Sequence, residues 1–340
     1  MRRILVTGAF GQIGSELVPA LRARYGVERV IASDLAASAP GFPATEGAYE
    51  RLDCTEPQEL RSVMRRHDIG EIYHLCAVLS AVAESDPEKA WRVNMDSLHN
   101  VLIAARESGS RVFFPSSIAA FGPSAPRVDA PQLTIQRPST MYGVTKVAGE
   151  LLCDYYAARF GVDARGLRLP GLVSYVAQPG GGTTDYAVEM LRAAALGERY
   201  FCFLAPQTRL DMMYMPDAVA ATIQLMEADP ARLKHRNAYN VTAMSVTPAE
   251  LAAQIRERAP RFIVDYRVDP LRQSIADSWP QSLDASAARE DWGFAPRFGL
   301  AAMTEDMLRH LGGDASKGAR RQEGTDDAER KIARNARGAA

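Results

Sequence analysis

Tyr142 and Lys146 stand four residues apart in Tyr142-Gly-Val-Thr-Lys146, and on a helix that spacing puts both side chains on one face. A phenol, with a reference pKa of about 10, is a poor base at neutral pH. A neighbouring ammonium favours the phenolate and moves it toward the working range, so the pair is a candidate proton-transfer device. Lysine is scarce, five of 40 basic residues, and an arginine in its place would hold its proton too tightly for a relay. Upstream, Phe114-Pro115-Ser116-Ser117 closes an apolar run with two hydroxyls. Such a hydroxyl can bind the oxygen of a reacting alcohol or carbonyl, although a serine pair after a strand is also a common turn former. Ser117 is the candidate, with Ser116 as the alternative.

A second set of residues suits a nucleotide. Gly8-Ala-Phe-Gly11-Gln12-Ile13-Gly14 lies between the strand-like Arg3–Thr7 and a segment of helical periodicity up to Tyr25. Glycines there permit a tight turn, let the backbone approach a pyrophosphate and aim a helix N-terminus at it. Asp34, followed by Leu35, ends the next strand-like run twenty residues after Gly14. A carboxylate there binds ribose hydroxyls and repels a 2′-phosphate, and no arginine follows closely, so NAD is expected over NADP. Asp53-Cys54 and Leu75-Cys76-Ala77 follow later strands, where they can line an adenine or ribose site.

These residues need a sheet to hold them. Apolar runs at Val30–Ser33, Glu71–His74, Val112–Phe114 and Val162–Leu169 alternate with helical stretches at Gln58–Arg66, Ala90–Arg106 and Met141–Phe160, the pattern of a parallel sheet covered on both faces. The expected fold is therefore α/β, a Rossmann-type doubly wound parallel sheet with a smaller C-terminal α/β substrate lobe. Residues 1–173 form the NAD-binding domain, its sheet completed by later segments, and 174–311 the lobe interleaved with it. Residues 312–340 are charge-, Gly- and Ala-rich and read as a disordered tail. His74, at the end of a buried run, reads as a satisfied core histidine.

With 47% apolar and 24% charged residues and a formal net charge of −1, nothing favours nucleic acid or a membrane surface as partner. No apolar stretch reaches transmembrane length. The strand beginning at Arg3 leaves no room for a signal peptide, so a cytoplasmic location is expected. Cys54, Cys76, Cys153 and Cys202 form no C-x-x-C pair and read as buried thiols, with no metal site expected.

Taken together, G-x-x-G-x-x-G, the acidic Asp34, Ser117 and Tyr142-x-x-x-Lys146 resemble the extended short-chain dehydrogenase/reductase family from Met1 to about Gly171. The resemblance implies that Tyr142 is the general acid/base, that Lys146 binds the nicotinamide ribose and lowers the tyrosine pKa, and that Ser117 orients the substrate oxygen. It implies that Asn94 supports a proton relay and places Pro170 near the cofactor. Many family members act on sugar nucleotides and carry an Asn after the Leu-Arg strand; here Leu167-Arg-Leu-Pro-Gly171 has Gly in that place, which counts against an epimerase or dehydratase of that kind, the alternative reading. Gly8–Pro19, Pro115–Ile118, Gly182-Thr-Thr-Asp-Tyr186, Met212–Asp217 and Ser278-Trp-Pro280 are instead similar to the short-chain L-threonine 3-dehydrogenases. That likeness implies NAD-dependent oxidation of L-threonine to 2-amino-3-oxobutanoate, toward glycine or aminoacetone. It also implies substrate contacts from Ser80, Gly182, Thr183, Thr184 and Trp279, together with Ser116, Ser117 and Tyr142, and a homodimer formed through the helices near Ala90–Arg106 and Met141–Phe160. From the residues alone, Thr183 and Thr184 read better as a helix N-cap before Asp185, and Trp279 as a core residue.

Overall fold

A computed structural model of the chain describes residues 2–37, 47–177 and 180–312. In chain order the elements of the first half are β1 (Arg3–Thr7), α1 (Gly14–Tyr25), β2 (Val30–Asp34), β3 (Tyr49–Arg51), α2 (Pro57–Arg66), β4 (Ile69–His74), α3 (Ser80–Ser85), α4 (Pro87–Trp91), α5 (Ser97–Ser108), β5 (Arg111–Ser117), α6 (Met141–Phe160) and β6 (Ala164–Leu169). The second half contributes β7 (Gly171–Val173), α7 (Asp185–Leu196), β8 (Tyr200–Cys202), β9 (Leu210–Tyr214), α8 (Met215–Glu227), β10 (Tyr239–Asn240), β11 (Met244–Val246), α9 (Pro248–Arg258), β12 (Val264–Tyr266), α10 (Pro270–Asp277) and α11 (Ser286–Trp292).

Seven strands form one sheet in the order β10-β6-β5-β4-β1-β2-β3, every neighbouring pair parallel. The fully buried Leu5, Val6, Ile31 and Ala32 explain why these strands read as continuous apolar runs. Helices cover both faces: α1 and α8 pack with Val6, Tyr73 and Leu167 on one, α2, α5 and α6 with Leu5, Ile72 and Phe114 on the other. The chain runs outward from β1 through β2 to β3, then returns to lay β4 on the other side of β1. That reversal opens a crevice beyond the strand ends, where ligands of such sheets bind.

Two small sheets, β11-β9-β7 and β12-β8, build the lobe over a third apolar cluster that includes Tyr186, Leu191, Tyr214 and Trp279. β10, late in the chain, joins the main sheet beside β6. Where periodicity suggests one helix over 90–106, the structure has α4, a π-helical turn at Arg92–Asp96 and then α5. Turns of that kind occur where a side chain must be re-aimed, and Asn94 at its centre clamps a neighbouring loop (below). The expected disordered tail, apart from Gly312, lies outside the described residues, as do Gln178 and Pro179. Among the described residues no helix is long and apolar enough to cross a membrane.

Candidate active site

α6 carries the proton-transfer pair. It opens at Thr140, whose hydroxyl accepts from the Gly143 N–H, and closes at Gly161 in the left-handed region (φ 70°), an N-cap and a C-cap of standard chemistry. Close approach to the sheet requires Gly149: a Cβ there would stand 2.5 Å from the Phe114 ring. Lys146 is buried, donates to the Pro115 carbonyl at 2.7 Å and lies 5.2 Å from the centre of the Tyr142 ring. Burial lowers its pKa to about 8, opposed by the negative charge of Glu150. Tyr142 is pushed up to about 12 by burial, partly offset by its hydrogen bond with Ser117. The lysine alone therefore does not bring the phenol into the working range.

The two serines diverge because successive strand residues point to opposite faces. Ser117, in register with Leu169, faces Tyr142 and also accepts from the Ala119 N–H at 3.2 Å. Ser116, in register with Arg168, gives its hydroxyl to Glu150. Glu150 also takes Arg168 at 3.0 and 2.8 Å and Gln136 at 2.9 Å. Sequence reasoning passed over this buried carboxylate, although it extends the helical series Tyr142, Lys146 by one further turn. Asn94 accepts from the Val78 N–H at 2.7 Å and donates to the Val78 carbonyl and to the Thr145 hydroxyl, while Thr145 donates to the Tyr142 carbonyl. The π turn thus ties the loop after β4 to the first turn of α6. His74 is satisfied by Thr7 and Ser97, and burial, helped by the Lys146 charge, lowers it to about 3.

Two cavities meet over the glycine turn. One is lined by Gly8, Gly11, Leu75 and Ala77 with Asp34, Leu35, Asp53, Cys54 and Cys76. The other shares those first four and adds Gln12, Ile13, Gly14, Ser80, Ser116, Ser117, Tyr142, Lys146, Pro170, Gly182, Thr183, Thr184 and Trp279. Gly8 has φ +68°, and a Cβ on it would stand 2.9 Å from the Cys76 nitrogen, so the turn sits directly on the end of β4. Asp34 accepts from the Phe10 N–H at 3.1 Å, which holds the turn beside the carboxylate. Two lobes joined at a glycine turn fit a dinucleotide, and Asp34 lines one lobe while Lys146 lines the other. Of the expected cofactor residues, Asn94 alone lines neither cavity and acts on the site through Val78 and Thr145.

At the far end, Ser80 and Thr183 share a hydrogen bond of 3.2 Å. Thr184 occupies the N-cap position of α7 but makes no side-chain cap. Asp185, the first residue of α7, instead reaches back, its Oδ2 accepting from the Gly181 and Gly182 N–H groups of the preceding loop at 2.8 and 2.7 Å. Trp279 is buried, and its ring nitrogen has no hydrogen-bond partner among the described residues. Trp279 lines the cavity, and a buried donor without a partner is costly. Among the described residues no cluster of His, Cys, Asp and Glu could hold a metal.

Such a sheet, turn and tyrosine–lysine pair define a nicotinamide-dependent enzyme class, and the chain belongs to the NAD dependent epimerase/dehydratase family, whose model matches residues 4–242. NAD is its cofactor. An uncharacterized epimerase/dehydratase of Staphylococcus saprophyticus is 50% identical over 313 residues, 92% of this chain and 98% of the relative. Among solved structures, L-threonine dehydrogenase from Clostridium difficile is 52% identical with a TM-score of 0.90, covering 93% of this chain and 99% of that one. The holo form of an L-threonine dehydrogenase from Cupriavidus necator is 51% identical with a TM-score of 0.88, covering 91% and 99%.

Proposed function

We propose that this protein oxidises the 3-hydroxyl of L-threonine to 2-amino-3-oxobutanoate with NAD. The observation that carries the reading is half-identity along nearly the whole chain to L-threonine dehydrogenases, combined with a hydroxyl-lined pocket beside Tyr142. Oxidised NAD, when bound, would supply a hydride acceptor and a positive ring whose charge would add to that of Lys146 in favouring the Tyr142 phenolate. Tyr142 takes the proton of the substrate hydroxyl while C3 gives up its hydride, and the Ser117 hydroxyl holds the oxygen as it becomes a carbonyl. Lys146, fixed on Pro115, keeps two N–H donors for the nicotinamide ribose and the phenolate. Thr183, Ser80 and the Trp279 N–H grip the amino acid, whose small size suits a pocket roofed by α7 and the segment after α10. The product is a β-keto acid, which loses CO2 readily unless a following transferase consumes it.

Appearance of reduced nicotinamide with L-threonine, its stereoisomers and L-serine tests the reading. Turnover on L-threonine is expected; none on any 3-hydroxy amino acid, with interconversion of a sugar nucleotide instead, overturns it. We also propose a homodimer through α6 and the helices from Pro87 to Ser108, supported by the exposed Trp91, Leu151 and Tyr155.

A further inference from the structure

The short helix α3 is fastened to α6 at both of its ends. Before it, Asn94 holds the N–H and the carbonyl of Val78 and donates to the Thr145 hydroxyl on α6. At its other end, Glu84 in the last turn of α3 accepts from the Met141 N–H at 2.6 Å. Between these clamps Ser80 opens α3, lines the catalytic cavity and shares a hydrogen bond with Thr183. Met141 is the first residue of α6 and Tyr142 the second. We propose that Glu84 is a positioning residue for the proton step. Its carboxylate fixes the first turn of α6, and with it the Tyr142 phenol, relative to the helix that presents Ser80 to the substrate. This role rests on the oxidation proposed above. It is exerted through the tyrosine, since Glu84 is half-buried and lines neither cavity.

The first turn of a helix is where an outside anchor counts most. Its leading N–H groups have no partner inside the helix, and helix ends fray. In α6 the Gly143 N–H is taken by the hydroxyl of Thr140, the residue that caps the same helix. The Met141 N–H is taken by a different helix altogether, so this contact alone ties the start of α6 to α3. Tyr142 stands between the two. Gly143, directly after it, has no alternative: a Cβ there would overlap the Ala119 carbonyl. A glycine leaves the backbone freer than other residues do, which puts the catalytic tyrosine beside the most pliable residue of its turn. A carboxylate suits the anchoring task, because its hydrogen bond from a backbone N–H is charge-assisted and negative charge is favoured at a helix N-terminus. The consequence for rate follows from the steep distance dependence of positioned catalysis, in which a shift of about 1 Å can cost about 10²-fold.

Glu84→Ala removes the acceptor, whereas Glu84→Gln keeps an amide oxygen that can still take the Met141 N–H. Wild type and both variants are compared at one pH, with active enzyme counted by its NAD-binding stoichiometry. Glu84→Ala should lower kcat for L-threonine about tenfold or more. KM and the Kd for NAD should stay within about threefold, because Ser80 is still held by Thr183 and the cofactor crevice is untouched. Glu84→Gln should recover most of the lost kcat. A second measurement needs no substrate: in hydrogen–deuterium exchange of the NAD-bound protein, the peptide carrying Met141 and Tyr142 should exchange faster in Glu84→Ala and as in wild type in Glu84→Gln. Wild-type kcat in Glu84→Ala, with only a lower urea midpoint, would reduce the contact to a stabilising one and overturn the proposal. So would a Glu84→Gln enzyme as slow as the alanine variant, or exchange that is the same in all three proteins. If the wild type leaves L-threonine untouched, the functional reading fails on that result, and exchange at Met141 then decides the anchor by itself.

Discussion

At Tyr142 two influences oppose one another. Burial pushes the phenol up to about 12, while the Lys146 cation and the positive ring of the oxidised cofactor favour the phenolate. Lys146, at about 8, is still mostly charged at pH 7. The oxidation rate should therefore rise with pH as the phenol ionises well below 12, and the loss of the Lys146 charge above about 8 should flatten that rise. Lys146→Met removes the protein's share of that field and should move the acidic limb of the kcat/KM profile upward by about one pH unit or more; an unshifted limb would remove the lysine from the proton step. Tyr142→Phe should lower kcat by about 10²–10⁴-fold with little change in the Kd for NAD, and wild-type turnover would dispose of the tyrosine assignment. Asp34 already holds the Phe10 N–H and lines the cavity proposed for the adenosine half of NAD. Asp34→Ala should relax the preference for NAD over NADP, measured as the ratio of the two kcat/KM values, and an unchanged ratio would take Asp34 off the ribose.

The helix α6 was legible in the sequence from Met141 to Phe160, because its hydrophobic faces, a Thr cap and a following Gly all agree. The glycine turn was legible for a similar reason: only a few residue types fit the backbone at Gly8 and Gly14. What stayed hidden depends on contacts between distant segments. The π turn around Asn94 cannot be read from periodicity, since its cause is the Val78 backbone sixteen residues earlier. The separation of Ser116 from Ser117 needed the β5–β6 register. Glu150 was missed because nothing local marks a buried carboxylate; its partners are Ser116 on β5, Gln136 in the loop before α6 and Arg168 on β6. That network fixes the α6 face carrying Tyr142 and Lys146 against the sheet. Glu150→Ala strands the buried Arg168 guanidinium and should cost about 3–5 kcal/mol of stability, read from urea unfolding. A loss below 1 kcal/mol would mean that water or a rearranged Arg168 replaces the carboxylate at little cost.

The monomer leaves α6 with an outward apolar face. Leu151 and Tyr155 are 64% and 55% exposed and Trp91 on α4 is 46% exposed, one four-residue step separating the first two on the helix. Scattered apolar residues on a surface need no explanation, but a stripe along two neighbouring helices suits a self-complementary contact about a two-fold axis. Two copies of α6 and of the α4–α5 segment would meet as four helices, burying Leu151 and Tyr155 at the centre. The same helix presents Tyr142 and Lys146 inward, so an assembly seated there would stiffen the element that carries the proton step. Tyr155→Glu and Leu151→Glu each place a charge at that centre, where an unpaired buried charge is costly. Sedimentation velocity at micromolar concentration should give a dimer for the wild type and a monomer for the double variant, with an unchanged far-UV spectrum showing that the fold persists. A wild-type monomer across that range, or a double variant that still dimerises, would place any assembly on a different face and free α6 from that role.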